Sequence, residues 1–184
     1  MDKDFSVIEE MLGIVAQSEV PFDERTDERN AVSRDDMATN LRRVYNTACR
    51  LYVSGDYQKA KEQINSVIQI TGIDNWDNKE FPFEYYDILV KLERLMALCL
   101  IKLGFYEEAW NYSSGAAMNI HSYDFDNMYE RAKSNYISGI ACFYLGKKNK
   151  TLLETAKRRL EEETEIIQDL IQNIDSYLSD LQKK

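Results

Sequence analysis

Residues 43–70, RVYNTACRLYVSGDYQKAKEQINSVIQI, and residues 92–120, LERLMALCLIKLGFYEEAWNYSSGAAMNI, share one pattern of small, turn-forming and apolar residues. In each stretch an alanine precedes a glycine by seven positions, and a tyrosine and a second alanine follow that glycine by two and five positions. A third stretch, 130–150, ERAKSNYISGIACFYLGKKNK, places Gly139 seven residues before Gly146. Apolar residues at helical spacing follow Gly55 and Gly104, whereas Lys148, Thr151 and Thr155 replace an aromatic and two small or apolar residues after Gly146. The pattern predicts three helical hairpins, the last of them with a degenerate second helix.

The small residues of this pattern predict close contact between helices. Ala48, Ala97 and Gly139 are expected to let the two helices of each hairpin approach, because larger side chains would hold them apart. Ala60 and Ala109 are expected to admit the neighbouring helix. Since a single hairpin cannot cover its own apolar face, the three hairpins are expected to stack.

This arrangement resembles the tetratricopeptide repeat, and the resemblance covers roughly residues 37–160. It implies an all-α fold in which three helical hairpins form a right-handed superhelix. Gly104 follows Gly55 by 49 residues, and Gly146 follows Gly104 by 42. Because the repeat has a period of about 34 residues, the early repeats are lengthened, and in this they are similar to those of immunophilin-type co-chaperones.

The predicted domain organisation has three parts. Residues 1–36 contain a short amphipathic helix followed by a charged connector over residues 23–36. The three repeats occupy residues 37–160, and residues 161–184 are predicted as a C-terminal capping or coiled-coil helix. The N-terminal helix either caps the repeats, lies across their concave face or serves another protein as a linear motif.

The C-terminal segment is predicted to be one long helix. No glycine or proline occurs between Thr151 and Lys184, so a helix of about 50 Å is expected at 1.5 Å per residue. We favour a capping helix packed on the last repeat, and a dimerising coiled coil is the alternative. Both interpretations rest on apolar residues that recur every seven positions: Leu153, Leu160, Ile167, Ile174 and Leu181.

The overall composition limits the possible functions. The chain has 184 residues, of which 44% are hydrophobic and 30% charged, and its net charge is −9. That charge argues against nucleic-acid binding, because affinity for phosphates depends on Lys and Arg. The sequence has no apolar run long enough to span a bilayer and no signal pattern at its N-terminus. We therefore predict a cytoplasmic or nuclear protein that binds neither nucleic acid nor membrane.

No group of residues indicates catalysis. The one histidine, His121, has no nucleophile pattern near it, and no glycine-rich phosphate loop is present. Cys49, Cys99 and Cys142 are far apart, are not in metal-ligand spacing, and are predicted to be buried and reduced. The sequence thus predicts a protein that is not an enzyme and needs no cofactor or metal.

The predicted binding site is the concave groove lined by the first helix of each repeat. Basic and aromatic side chains would lie together there, which suits an extended or helical peptide with apolar anchors and acidic groups. Cys49, Leu98 and Ile140 share the groove register but are interpreted as core. The predicted groove residues are Arg42, Tyr45, Asn46, Tyr52, Lys91, Arg94, Lys102, Lys133, Tyr136 and Ile137.

The best-known tetratricopeptide proteins bind the C-terminal carboxylates of heat-shock chaperones through a five-residue clamp. By register, the lysine and two asparagines of that clamp fall at Tyr45, Cys49 and Leu95. Its remaining lysine and arginine fall at Lys133 and Ile137, so only Lys133 matches. Too few charge-assisted hydrogen bonds remain for a doubly charged terminus, and this co-chaperone mechanism is not expected.

These observations favour a protein–protein interaction scaffold or adaptor that binds a peptide or helix of a partner. One alternative is a client chaperone, similar either to acidic histone chaperones or to small bacterial secretion chaperones. Another is an assembly subunit that forms a homodimer through its C-terminal helix. The repeat specifies a shape and leaves the identity of the partner open.

Overall fold

The structure is a computed structural model, and it describes residues 34–71, 83–122, 128–146, 149–163, 175–176 and 178–183. Over these residues the chain is helical apart from short turns, and it contains no strand. The predicted all-α class is therefore confirmed. The helices are α1 (Arg34–Val53), α2 (Tyr57–Thr71), α3 (Phe83–Leu103), α4 (Tyr106–Ser122), α5 (Met128–Tyr144) and α6 (Lys150–Glu163).

The same backbone turn closes the first two helical hairpins. The N–H groups of Gly55 and Asp56 donate to carbonyl oxygens three and five residues earlier, at 3.0 and 2.8 Å. Gly104 and Phe105 make the corresponding bonds at 3.1 and 2.8 Å. Both glycines have a positive φ, 83° and 85°, which glycine adopts with the least strain. The glycine spacing in the sequence therefore marks true helix ends.

Successive helices pack against each other along the chain. Short turns with positive-φ glycines, Gly55, Gly104 and Gly146, pair them as the hairpins α1–α2, α3–α4 and α5–α6. Helix α3 also contacts both α1 and α5, so the first helices of the hairpins lie side by side. Between Tyr85 and Ile101 every side chain of α3 is buried except those of Asp87 and Lys91, which are partly exposed. Because α3 is buried around most of its circumference, it packs on most sides and is the centre of the fold.

Small residues lie where helices meet, as the sequence predicted. Gly139 on α5 is packed against Leu153 on α6, and a Cβ atom built on the glycine would overlap the Leu153 side chain. The close approach within the third hairpin therefore depends on the absence of a side chain at this position. The four alanines of the repeated pattern are 0% exposed: Ala48, Ala60, Ala97 and Ala109.

The C-terminal segment is not the single long helix predicted from its sequence. Lys157 Nζ on α6 lies 2.6 Å from Asp175 Oδ1, whereas a sequence separation of eighteen would span about 27 Å along a continuous helix. The prediction is therefore wrong, because Asp175 lies beside α6. Leu181 is 7% exposed and belongs to the main hydrophobic core, and Leu178 packs against that core. Burial of these residues within their own chain favours the capping interpretation over a dimerising coiled coil.

Helix α1 begins at Arg34, inside the segment 23–36 that was predicted as a charged connector. The predicted N-terminal amphipathic helix, and the proposal that it covers the groove, lie outside the described residues. Of the helices described, none combines the length and apolarity that crossing a bilayer requires.

Candidate functional site

A row of charged side chains joins the first helices of the second and third hairpins. Arg94 on α3 donates from Nη1 to Glu130 Oε2 at 2.5 Å and from Nε to Ser134 Oγ at 2.9 Å. Its Nη2 donates to the backbone carbonyl of Glu130. Lys133 Nζ donates to the other carboxylate oxygen, Glu130 Oε1, at 2.5 Å. A single carboxylate on α5 thus binds two cations from two helices.

This row lies mostly inside the protein. Arg94 is 1% exposed and Lys133 is 8% exposed. Removing a guanidinium from water is unfavourable unless its N–H groups are bonded and its charge is balanced, and Glu130 supplies both. Burial alone would raise the pKa of Glu130, but the Arg94 charge and the bond from Lys133 outweigh it, and the pKa is lowered. Glu130 therefore stays ionised at neutral pH.

Tyr45 on α1 is also buried, at 4% exposed. Burial is the main cause that raises the pKa of the Tyr45 hydroxyl; the neighbouring Cys49 thiol raises it further, and the charge of Arg94 acts in the opposite direction. Asp87 forms an ion pair with Lys91 at 2.7 Å. Burial is also the main reason that the pKa of Lys133 is lowered, with the charges of Arg94 and Lys91 acting in the same direction. Arg94 and Lys133 thus share Glu130, while Tyr45 on α1 and Lys91 on α3 lie within range of these charges.

The other predicted groove residues are not all part of this row. Those predicted as core, Cys49, Leu98 and Ile140, are at most 1% exposed, which confirms that interpretation. Six predicted groove residues are buried, each 8% exposed or less, so their side chains do not line an open groove: Tyr45, Tyr52, Arg94, Lys133, Tyr136 and Ile137. Four are exposed or partly exposed: Arg42, Asn46, Lys91 and Lys102.

Lys102 lies at the turn end of the hairpins. Its Nζ is 5.9 Å from the ring centroids of both Tyr52 and Tyr57, which themselves pack edge to face at 5.1 Å. Lys61 on α2 similarly lies 4.8 Å from the ring centroid of Phe105, in the turn of the second hairpin. Cations over aromatic faces are attracted by the ring quadrupole, so both lysines hold the first two hairpins together.

A second buried carboxyl group, Glu93 on α3, was missed by sequence reasoning. It is 5% exposed, and Asn119 Nδ2 on α4 donates to its two oxygens at 3.2 and 3.0 Å. Burial raises the pKa of Glu93 to about 8, although the Asn119 hydrogen bond and the Arg94 charge oppose this effect. The signal in the sequence is that the residues three and four positions from Glu93, which share its side of the helix, are all apolar: Leu89, Val90, Met96 and Ala97.

We expect Glu93 to make the protein less stable as the pH rises from about 5 to 8. The pKa of Glu93 is near 8 in the fold and about 4.3 in an unfolded chain, so its stabilising contribution is complete below the lower value. That contribution is lost as the pH rises through the higher value. Glu93→Gln cannot ionise and should be more stable than the native chain at pH 8, by on the order of 2 kcal/mol.

Urea unfolding of both proteins at pH 5 and pH 8 measures this difference. Glu108→Gln on α4 is the matched control, because Glu108 is exposed and should leave the pH dependence unchanged. An unaltered pH dependence in Glu93→Gln would show that this carboxyl group ionises normally in the folded protein.

No protein-family model matches the sequence, and no curated protein is significantly similar to it. Function is therefore inferred from the geometry and chemistry of this chain alone. Within the ranges that the structure describes, no cluster of His, Cys, Asp and Glu side chains is arranged to hold a metal ion.

The three cysteines are buried, as predicted, and none forms a disulfide bond. Burial raises the pKa of the Cys49 and Cys99 thiols to about 12. Both thiols consequently remain protonated at neutral pH, where the thiolate is the reactive form. Cys142 accepts a hydrogen bond from Asn149 at 3.9 Å. The cysteines thus behave as small apolar side chains of the core.

Proposed function

We propose that this chain is a non-enzymatic helical-repeat scaffold of the tetratricopeptide type, which holds a segment of another polypeptide in the cytoplasm or nucleus. One observation carries the proposal: α1, α3 and α5 lie side by side, and α3 contacts both of the others. Equivalent helices in a row offer a continuous surface to a guest chain. The matching turns at Gly55 and Gly104 support the interpretation of the hairpins as repeats of a right-handed superhelix.

The accessible part of this surface lies on α1 and α3. Arg42 and Asn46 are exposed on α1, and the Asp87–Lys91 pair is partly exposed on α3. From Lys91 the row continues to Arg94, which is 1% exposed. The guest segment is therefore proposed to contact α1 and α3 and not the whole row. Cations at this surface would steer an acidic segment towards it.

Photo-crosslinking from the exposed positions tests this function. A photoreactive amino acid replaces Asn46 or Lys91 in the full chain, which is then mixed with an extract of its own cells. Both positions are expected to crosslink to the same polypeptide, and a peptide covering the crosslinked segment should bind with micromolar affinity, about −8 kcal/mol.

Lys150 is the control position, because it is exposed but lies on α6 in the third hairpin. A photoreactive residue there should not capture that polypeptide. Equal crosslinking from all three positions, or none from Asn46 and Lys91, would exclude the proposed scaffold surface.

A further inference from the structure

One side of α1 carries three arginines. Arg42 and Arg43 are exposed and Arg50 is half-buried, whereas the apolar core residues of α1 are buried against α2 and α3. We define the α1 outer face as Thr39, Arg42, Arg43, Asn46, Arg50 and Val53. At about 100° per residue, these side chains fall within an arc of about 100° around the helix axis. The arginines therefore share one continuous surface.

The charge of the α1 outer face is opposite to that of the whole protein. The chain contains 32 acidic residues and has a net charge of −9. Between Met37 and Gly55, however, there is no aspartate or glutamate, and the three arginines are the only charged residues of that stretch. The middle of the α1 outer face therefore carries three positive charges, which suits an acidic partner.

Contacts along the helix restrain two of these arginines. Arg43 Nη2 donates to Asn40 Oδ1 at 3.0 Å, and Arg50 Nε donates to the Asn46 carbonyl oxygen at 3.4 Å. Such bonds hold the guanidinium groups along the helix surface, which lowers the entropy cost of binding a carboxylate. A guanidinium has five N–H donors, and its planar shape matches a carboxylate in two-point contact.

We propose that the α1 outer face binds an acidic helix of a partner protein. Arg42 and Arg50 are eight residues apart, which corresponds to about 12 Å along the axis, so they match carboxylates two turns apart on a second helix. Val53 is 47% exposed at the end of the face and would contact an apolar side chain of that helix. This inference rests on the proposed scaffold function, and it names the partner's chemistry and the contact surface.

A labelled peptide binding assay on the full chain tests the proposal. The probe is a synthetic helical peptide of about 18 residues, with glutamates at i, i+4 spacing on one side and leucines beside them. Fluorescence anisotropy measures its affinity for the native chain and for the variant Arg42→Glu, Arg43→Glu, Arg50→Glu. We expect at least a tenfold loss of affinity in the variant, and a native affinity that falls as salt is raised.

A second triple variant controls for net charge. Lys59→Glu, Lys150→Glu, Lys183→Glu changes exposed residues elsewhere, and in both variants three reversals of two units each lower the net charge from −9 to −15. The control should bind the peptide within about threefold of the native chain. Circular dichroism should give the same helix content for all three proteins.

Two results would overturn the α1 contact: failure of the native chain to bind the peptide, or equal losses in both variants. Crosslinking from Lys91 separates this outcome from failure of the scaffold function. If a polypeptide is still captured from Lys91 when all three α1 arginines are reversed, the scaffold function stands and the α1 outer face is not its contact surface. Absence of both peptide binding and capture from Lys91 would remove both.

Discussion

Replacement of Glu130 by glutamine is expected to lower the free energy of unfolding by about 3–5 kcal/mol. Arg94 is 1% exposed and would keep its charge, but the carboxylate that balances it and Lys133 would be lost. A buried cation without a counter-charge is strongly destabilising, whereas glutamine preserves the volume of the side chain. Urea unfolding at pH 7 measures the change. The dependence of the unfolding free energy on urea concentration should be the same for the variant and the native chain if both unfold in two states.

Two further variants separate the role of charge from that of packing. Asp87→Asn removes the carboxylate of the partly exposed pair with Lys91, and it should cost less than about 1 kcal/mol. Adding Arg94→Met to Glu130→Gln removes the uncompensated buried charge and should recover much of the lost stability. If Glu130→Gln unfolds at the same urea concentration as the native chain, the buried pair does not stabilise the fold.

The same carboxylate predicts sensitivity to acid. Because the pKa of Glu130 is lowered in the folded protein, its contribution is complete above the ordinary carboxyl pKa and is lost as the pH falls through the lowered value. The contribution of Glu93 to stability changes with pH in the opposite direction, since its pKa is raised. The two groups therefore act in separate pH ranges, Glu130 below about 4.3 and Glu93 above it.

The second large effect is expected at Gly139, where alanine should lower the free energy of unfolding by about 1–3 kcal/mol. A Cβ atom there would overlap Leu153 Cδ2 and lie 3.0 Å from its Cγ, and Leu153 is 0% exposed. At Gly115 on α4, the nearest atom to an added Cβ is Glu93 Oε1 at 3.7 Å, an ordinary contact. Gly115→Ala should therefore stabilise the protein by about 0.5–1 kcal/mol.

A double-mutant cycle with Leu153→Ala examines the cause of the effect at Gly139. Leu153→Ala alone leaves a cavity, but in the Gly139→Ala background it also relieves the overlap, so its cost should be smaller there. Thermal or urea unfolding of the four proteins gives this coupling energy. If alanine has the same effect on stability at Gly139 as at Gly115, α5 and α6 are not closely packed.

The helical hairpins were predictable from the sequence because their signals are local. A glycine at a helix end, such as Gly55 or Gly104, is required by the positive φ of its own turn. Alanines at helix contacts likewise reflect packing of adjacent helices, which the repetition of the pattern makes visible. The all-α class and the positions of the turns therefore follow from short stretches of sequence.

The partners of the buried charges were not predictable in the same way. Arg94 was predicted to face a groove because its position in the helix allows it, but Glu130 lies 36 residues away and was not recognised as its partner. The prediction of a single C-terminal helix was wrong for a similar reason. The absence of glycine and proline shows that neither residue interrupts the helix, but it does not show that Asp175 lies beside Lys157. Both facts depend on tertiary contacts between distant residues.

The burial of α3 on nearly every side links the three hairpins energetically. Separation of either outer hairpin from α3 would expose apolar surface of α3 to water, at a free-energy cost of about 25 cal/mol per Å². Side chains from every hairpin also share one hydrophobic cluster with Leu181 near the C-terminus. We therefore expect the three hairpins to unfold together and not one at a time, because the loss of either outer hairpin would expose α3.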